Sequence, residues 1–218
     1  VTGAASGMGA STAKLFASEG ARIVVADLLK LEGGKVVAKI SELDGQARFQ
    51  ALDVTSEADW ESLQGVLVKG QFLLSRAAAE IMRKQNLGGN IVNIASKNGL
   101  VSGPNNVGYG TAKAAQMHMS RLLAAELGPD QIRVNTVNPD GVIIGSKIWE
   151  GEWAEERAKA YGISVEELPE FYAKRNLLHK IIKPEDIANG VFAFLEILDK
   201  STGNIINVDG GIANAFVR

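Results

Sequence analysis

The chain contains no cysteine, so a disulfide framework and a thiolate metal site are both excluded, and a reducing compartment suits it. Histidine is nearly as scarce: His118 and His179 are the only 2. Neither stands at ligand spacing from other donors, so no metal site is expected, and both are read as structural or interface residues. Neither sign of charge is in excess, with 23 basic against 25 acidic residues and a net charge of −2. That balance gives no electrostatic footprint for nucleic acid or an anionic membrane. No apolar run is long enough to span a bilayer, and no basic segment followed by an apolar one opens the chain. The expectation is a cytoplasmic protein acting on a small molecule, with no nucleic-acid or membrane partner. Internal repeats and low-complexity segments are also missing.

What is present is core-forming material. The chain has 218 residues, 46% of them hydrophobic, enough for one compact domain. It opens on Val1-Thr-Gly-Ala-Ala-Ser-Gly-Met-Gly9, followed by a helical pattern over Ser11–Glu19 that ends at Gly20. This reads as a strand stub, a glycine-rich turn and a helix start, where bare backbone N–H groups and the helix N-terminus can approach a pyrophosphate. Gly3, Ser6, Gly7, Met8 and Gly9 are the candidate cofactor-facing positions. The spacing, G-x-x-x-G-x-G, departs from the usual dinucleotide fingerprint.

Ala21–Ala26 is a β-branched apolar run of the kind a strand buried on both faces shows, and it ends in Asp27 with Leu28 beside it. An acid roughly twenty residues beyond the glycines can bond a ribose 2′-hydroxyl and repel a 2′-phosphate, which selects NAD over NADP. The bland alternative is an ordinary residue at the end of a strand. A helix over Glu32–Ile40 and a strand over Gln46–Leu52 follow; the strand leads into Asp53-Val54-Thr55 and a capped helix start at Ser56.

Beyond this point the chain is too short for its pattern. Trp60–Gln64 cannot serve as a crossover helix, Gly65-Val-Leu-Val68 reads as the start of a fourth strand, and Lys69–Met82 is already a later helix. A parallel crossover needs about a dozen residues or more, so about one βα unit is expected to be lacking near 64–69. Residues before Val1 are expected as well, because the chain starts in mid-strand.

Gly89–Ala95 reads as a strand delivering Ser96, and Tyr109 opens a long helix that reaches about Leu127. Tyr109 and Lys113 are four residues apart and therefore share a helix face. A phenol is a poor acid and base near neutrality, since its ordinary pKa is about 10, and a fixed ammonium beside it is expected to bring it toward the operating pH. Ser96 can hydrogen-bond the same substrate oxygen. Tyr-x-x-x-Lys also arises by chance on helices, so its weight comes from the rest of the chain.

Gly128-Pro129 ends that helix, Ile132–Val137 is a strand, and Asn138-Pro-Asp-Gly-Val142 turns at its carboxyl end, the ligand side of doubly wound sheets. Residues 141–183 form a long excursion read as a substrate lid. It has helical pieces at Glu152–Ala160 and Val165–Arg175 and carries Trp149, Trp153, Tyr161, Phe171 and Tyr172. Pro184 starts another helix, and Asn204–Val208 is the last strand. The expected architecture is α/β: a Rossmann-type, doubly wound parallel sheet of about seven strands with helices on both faces, as a single domain over 1–218.

With Gly3, Gly7, Gly9, Asp27, Asp53, Ser96, Tyr109-x-x-x-Lys113 and Asn138-Pro139 in this order, the whole chain resembles the short-chain dehydrogenase/reductase superfamily. The resemblance implies that Tyr109 exchanges the proton with the substrate oxygen, that Lys113 lowers its pKa and bonds the nicotinamide ribose, and that Ser96 orients the carbonyl. It also implies that Asp53 and Val54 contact adenine, that Pro139 and Val142 flank the nicotinamide, and that the chain pairs into a homodimer or homotetramer. The family's Asn-Asn-Ala-Gly turn and its helix asparagine would fall in the lacking stretch near 64–69, so neither is assigned. The usual Pro-Gly is Pro139-Asp140. That departure, the Ala95-Ser-Lys-Asn98 stretch, Gly145–Trp149, Ala160–Leu168 and the Ala215–Arg218 ending are similar to the C-terminal dehydrogenase domain of bifunctional rhamnulose-1-phosphate aldolase/lactaldehyde dehydrogenase proteins. This narrower likeness implies lactaldehyde as substrate, with an aldolase domain upstream, and Asn98, Asp140 and Trp149 as candidate substrate contacts. A sorbitol-6-phosphate type dehydrogenase is the alternative. A dinucleotide sensor without chemistry is the alternative from a different class.

Overall fold

In the computed structural model, residues 1–51, 60–101 and 106–216 are described. They form α1 (Gly7–Ser18), β1 (Ile23–Asp27), α2 (Lys30–Ser41), β2 (Ala47–Ala51), α3 (Trp60–Leu63), a π-helical segment (Gln64–Lys69), α4 (Gly70–Gln85) and β3 (Gly89–Ile94). Then come α5 (Val107–Leu127), β4 (Ile132–Pro139), α6 (Glu152–Tyr161), α7 (Leu168–Lys174), α8 (Pro184–Phe192), a second π-helical segment (Ala193–Ile197) and β5 (Ile205–Val208). The chain divides into two compact units interleaved in sequence: Val1–Asp53 with Gly141–Phe192 and Asp209–Ile212, and Val54–Asp140 with Ala193–Val208 and Ala213–Arg218.

In the first unit β1 and β2 pair in parallel, with Val25 opposite Phe49. Thr2 makes an isolated parallel bridge to Ala26, and the Ala26 N–H donates to the Val1 carbonyl at 2.9 Å. The apolar residues of α1, β1 and α2 close one core around Ala4, Ala13, Val25, Val36 and Ile40. Small alanines on α1 let that helix lie close to β1, which fixes where its N-terminus points. The 141–183 excursion has a core of its own, in which Ile143, Ala154, Ala158 and Leu168 are buried beneath Trp149, Tyr161 and Tyr172. Its second helix begins at Leu168 rather than at Val165. The Glu167 carboxylate accepts from the Ser164 N–H at 2.8 Å, which holds the preceding residues in a turn.

In the second unit β3, β4 and β5 form a parallel sheet in that order, with Ile94 opposite Val137 and Val137 opposite Ile206. β4 is central and its residues are almost all buried, the polar Asn135, Thr136 and Asn138 included. Leu123, Ala124 and Leu127 of α5 pack on Ile132 and Val134. Arg133 donates to the carbonyls of Phe194, Leu195 and Leu198 at 2.6, 3.1 and 3.0 Å, satisfying carbonyls that the end of the second π-helical segment leaves without helical partners.

Two expectations about the sheet are corrected. About seven strands were expected, and five form among the described residues, in sheets of two and three. The residues before the glycine turn reach only a single bridge at Thr2. Gly65–Val68 is not the start of a strand but lies in the π-helical segment that joins α3 to α4. With only six residues between two helices, the backbone satisfies its N–H groups by helical bonds, because the crossover a parallel strand needs is not there.

Candidate active site

β3 delivers Ser96 at its carboxyl end. The Ser96 oxygen caps the turn that follows (Lys97–Gly99) by accepting from the Asn98 N–H at 3.3 Å, which fixes the hydroxyl's direction. Gly99 brings this turn onto α5: a Cβ there would lie 2.8 Å from the Ala114 nitrogen and 2.1 Å from the Met117 methyl. Only a residue without a side chain lets the Ser96 turn and the Tyr109 helix come this close.

In the first turn of α5, the Tyr109 phenol hydrogen-bonds Ser96. Burial raises the phenol's pKa above its ordinary value; the Ser96 hydrogen bond pulls it down, and the Asp140 carboxylate pushes it up again. The expected lowering by Lys113 is therefore corrected. The Lys113 ammonium sits over the Tyr109 ring, 5.6 Å from its centroid, and donates to the Ile94 carbonyl at 3.2 Å instead of pairing with the phenol oxygen. Burial lowers the Lys113 pKa to about 8, so at neutral pH it is an ammonium held at a cost of desolvation. Ser96, Tyr109 and Lys113 are thus brought together as the sequence predicted, and all three are largely buried.

The same cluster holds a residue the sequence analysis did not single out. Lys97, directly after Ser96, is only 8% exposed, and its ammonium stands 3.6 Å from the Asp140 carboxylate. A lysine placed directly after the serine that follows a strand's carboxyl end was the available signal. Asn98 is half-buried in the same turn, and Pro139 ends β4 beside β3.

The cofactor candidates lie in the first unit. Gly3 and Gly7 take positive φ values of 63° and 50°, and a Cβ on Gly9 would lie 2.1 Å from the Gly3 carbonyl oxygen, so the turn folds directly against the first turn of α1. Ser6 occupies the N-cap position without a side-chain cap. The first intrahelical bond is from the Ala10 N–H to the Ser6 carbonyl. The N–H groups of Gly7, Met8 and Gly9 therefore have no acceptor among the described residues, and an anion fits there. Asp27, at the end of β1, accepts from the Ala5 N–H at 2.9 Å and the Leu29 N–H at 3.0 Å, which ties the acid to the glycine turn. Leu28 beside it is exposed, and Val142, past the end of β4, is buried. Asp53 and Val54 lie outside the described residues. Trp149 packs edge-on against Trp153 and Tyr172, at 4.5 and 5.1 Å between ring centres. Among the described residues no histidine, cysteine or carboxylate cluster could hold a metal ion.

A phenol hydrogen-bonded to a serine at the carboxyl edge of a parallel sheet, in a chain that also presents a glycine-turned helix start, matches the design of the α/β oxidoreductases that use dinucleotides. Residues 1–64 match the family described as short chain dehydrogenase, and residues 55–213 match that described as Enoyl-(Acyl carrier protein) reductase. The chain belongs to the short-chain dehydrogenase family, whose members use nicotinamide cofactors.

Among curated relatives it is 38% identical to the uncharacterized oxidoreductase YuxG of Bacillus subtilis, over all of this chain and 37% of that one. The chain thus spans little more than a third of YuxG. It is also 32% identical to D-threitol dehydrogenase of Mycolicibacterium smegmatis, over 69% of this chain and 73% of that one. Among solved structures, sorbitol-6-phosphate 2-dehydrogenase SrlD of Erwinia amylovora superposes with a TM-score of 0.86 at 23% identity, covering 97% of this chain and 98% of that one, a likeness of fold. A 7α-hydroxysteroid dehydrogenase complexed with NADH superposes at 0.80 with 26% identity, covering 97% and 92%.

Proposed function

We propose that this chain is an NAD-dependent alcohol dehydrogenase or carbonyl reductase acting on a small hydroxylated substrate, with lactaldehyde as its first candidate. The observation that carries the reading is the Tyr109 phenol, hydrogen-bonded to Ser96 with the Lys113 ammonium beside its ring. Tyr109 gives its proton to the substrate oxygen as a carbonyl is reduced and takes it back as an alcohol is oxidised. Ser96 holds that oxygen through a hydroxyl whose direction the Asn98 N–H sets. Lys113, fixed by the Ile94 carbonyl, keeps its ammonium beside the Tyr109 ring, where it would bond the nicotinamide ribose. A bound nicotinamide would supply the hydride chemistry. The helix start at Gly7–Gly9 would hold the cofactor's phosphates, and Asp27 is the group suited to a ribose hydroxyl rather than a 2′-phosphate.

D-threitol dehydrogenase among the relatives supports a polyhydroxylated substrate. A sorbitol-6-phosphate type activity is the second reading. The sensor without chemistry is disfavoured by the joint presence of Ser96, Tyr109 and Lys113. The alignment with YuxG runs over 259 positions against 218 residues here, a shortfall about the size of the βα unit that the sequence pattern lacks near Gln64. Exposed Phe72, Leu73, Leu74 and Ile81 on α4, with Leu122 on α5, support a homo-oligomer built on these helices. A cytoplasmic location and an upstream aldolase belong to the same reading.

The test is the NAD- and NADP-linked rate against lactaldehyde, propane-1,2-diol, free and phosphorylated hexitols, and ketoses, with Tyr109→Phe as control. NAD-linked turnover of lactaldehyde is expected. The variant should lose about 10²–10⁴-fold in kcat while its NADH affinity holds. Turnover confined to hexitol phosphates would replace lactaldehyde with the second reading, and NADH binding without turnover would leave only the sensor.

A further inference from the structure

Lys97 and Asp140 each follow a residue already placed in the site, and the sheet brings them to the same edge. Ile94 of β3 and Val137 of β4 are register partners, and Lys97 and Asp140 lie equally far beyond each. Both side chains are about 10% exposed. An ion pair buried this deeply costs so much desolvation that an apolar pair of the same volume commonly serves stability as well or better, so packing gives no reason for it. Its separation, 3.6 Å from Nζ to Oδ1, is also longer than the roughly 2.7–2.9 Å of a charge-assisted hydrogen bond. Among the described residues the ammonium meets no other acceptor. Asp140 is near enough to the Tyr109 phenol to act on it electrostatically, so the pair lies beside the group that moves the proton.

We propose that Lys97 and Asp140 form a subsite for a neutral hydroxyl group of the substrate, one that neighbours the carbon being oxidised or reduced. A hydroxyl both donates and accepts: its proton goes to the Asp140 carboxylate and its oxygen takes a hydrogen bond from the Lys97 ammonium. The two charges cancel, so the subsite does not select an anion; a substrate carboxylate or phosphate would meet Asp140. The chemical class it fits is the vicinal diol and its α-hydroxy carbonyl partner, as opposed to the mono-functional alcohol. This rests on the oxidoreductase reading above and narrows its substrate.

The test compares kcat/KM for propane-1,2-diol with that for propan-1-ol and propan-2-ol, in the parent protein, in Asp140→Asn, and in the double variant Lys97→Met/Asp140→Asn, which removes both charges of the pair. Diol affinity for the NAD complex is measured alongside by calorimetry. The parent should favour the diol, and both variants should cut that preference by about 30-fold or more, mainly through KM and with a matching loss of calorimetric affinity. Equal losses on diol and mono-alcohol, or a parent that handles both alike, overturn the subsite and leave the oxidoreductase reading standing. A preference that rises for phosphorylated or carboxylated substrates in Asp140→Asn also overturns it, since Lys97 would then be an anion site. No turnover of any alcohol by the parent removes the reading and the subsite together.

Discussion

The Lys113 ammonium donates to the Ile94 carbonyl at 3.2 Å, so the first turns of α5 are tied to the last residue of β3. Ser96 lies two residues beyond that carbonyl and Tyr109 one helical turn before that ammonium, so this bond helps to set the distance between the Tyr109 phenol and the Ser96 hydroxyl.

Lys113→Met tests what that buried charge costs. The Lys113 pKa falls from 10.5 to about 8 because of burial. Between these values the unfolded chain binds more protons than the folded one, so stability rises with pH across that window, and below about 8 the full penalty is present. The penalty is on the order of 3 kcal/mol. The lost hydrogen bond to Ile94 offsets about 1 kcal/mol of it. Lys113→Met should therefore melt higher than the parent at pH 7, by roughly 4–8 °C. The gap should close between pH 8 and 10.5 while turnover is lost. A lower melting temperature at pH 7 would show that the hydrogen bond outweighs desolvation.

The Tyr109 phenol should titrate above its ordinary value in the cofactor-free protein, because burial and the Asp140 charge outweigh the Ser96 hydrogen bond. With 3 tyrosines in the chain, the ultraviolet phenolate titration of the parent minus that of Tyr109→Phe isolates it. Asp140→Asn removes the anion that opposes ionisation and should move this difference curve to lower pH. An unmoved curve would mean that Asp140 does not act on the phenol.

Asp27→Ala should affect both folding and cofactor choice. The Ala5 and Leu29 N–H groups lose their acceptor, for a cost of about 1–3 kcal/mol. On the proposed ribose role of Asp27, NAD affinity should fall at least about tenfold more than NADP affinity, because the carboxylate would accept a ribose 2′-hydroxyl and repel a 2′-phosphate. Fluorescence titration with the reduced cofactors reads this ratio directly, and equal losses would remove the ribose role and leave only the tie to the glycine turn.

Gly9→Ala should be poorly tolerated despite the conservative change. Its Cβ would stand 2.1 Å from the Gly3 carbonyl oxygen and 3.0 Å from the Ala4 Cα, both backbone atoms that no rotamer can relieve. The turn must move off α1, with a stability cost of about 1–3 kcal/mol and a loss of NADH binding. Gly34→Ala, inside α2 with open space where its Cβ would stand, is the control and should melt about 2–4 °C higher than the parent, since alanine is the better helix former.

The sequence by itself determined most of the local elements and which side chains they carry. Period and capping placed α2, α5, β3 and β4 within a few residues, because amphipathic stripes and buried β-branched runs are one-dimensional signals. Tyr109 and Lys113 share a face because four residues make about one turn. Ser96 was legible as the end of a strand, and Asp27 as the end of another. Only the tertiary structure decided what each charge meets. The phenol's pKa rises instead of falling because burial and Asp140 act on it from outside its own helix, while Lys113 turns to a carbonyl on β3. Lys97 became visible as a site residue when the β3–β4 register brought it to Asp140, 43 positions on in the chain. Gly65–Val68 had the composition of a strand, yet a strand also needs a partner and a crossover long enough to reach it, and the chain there became a helix.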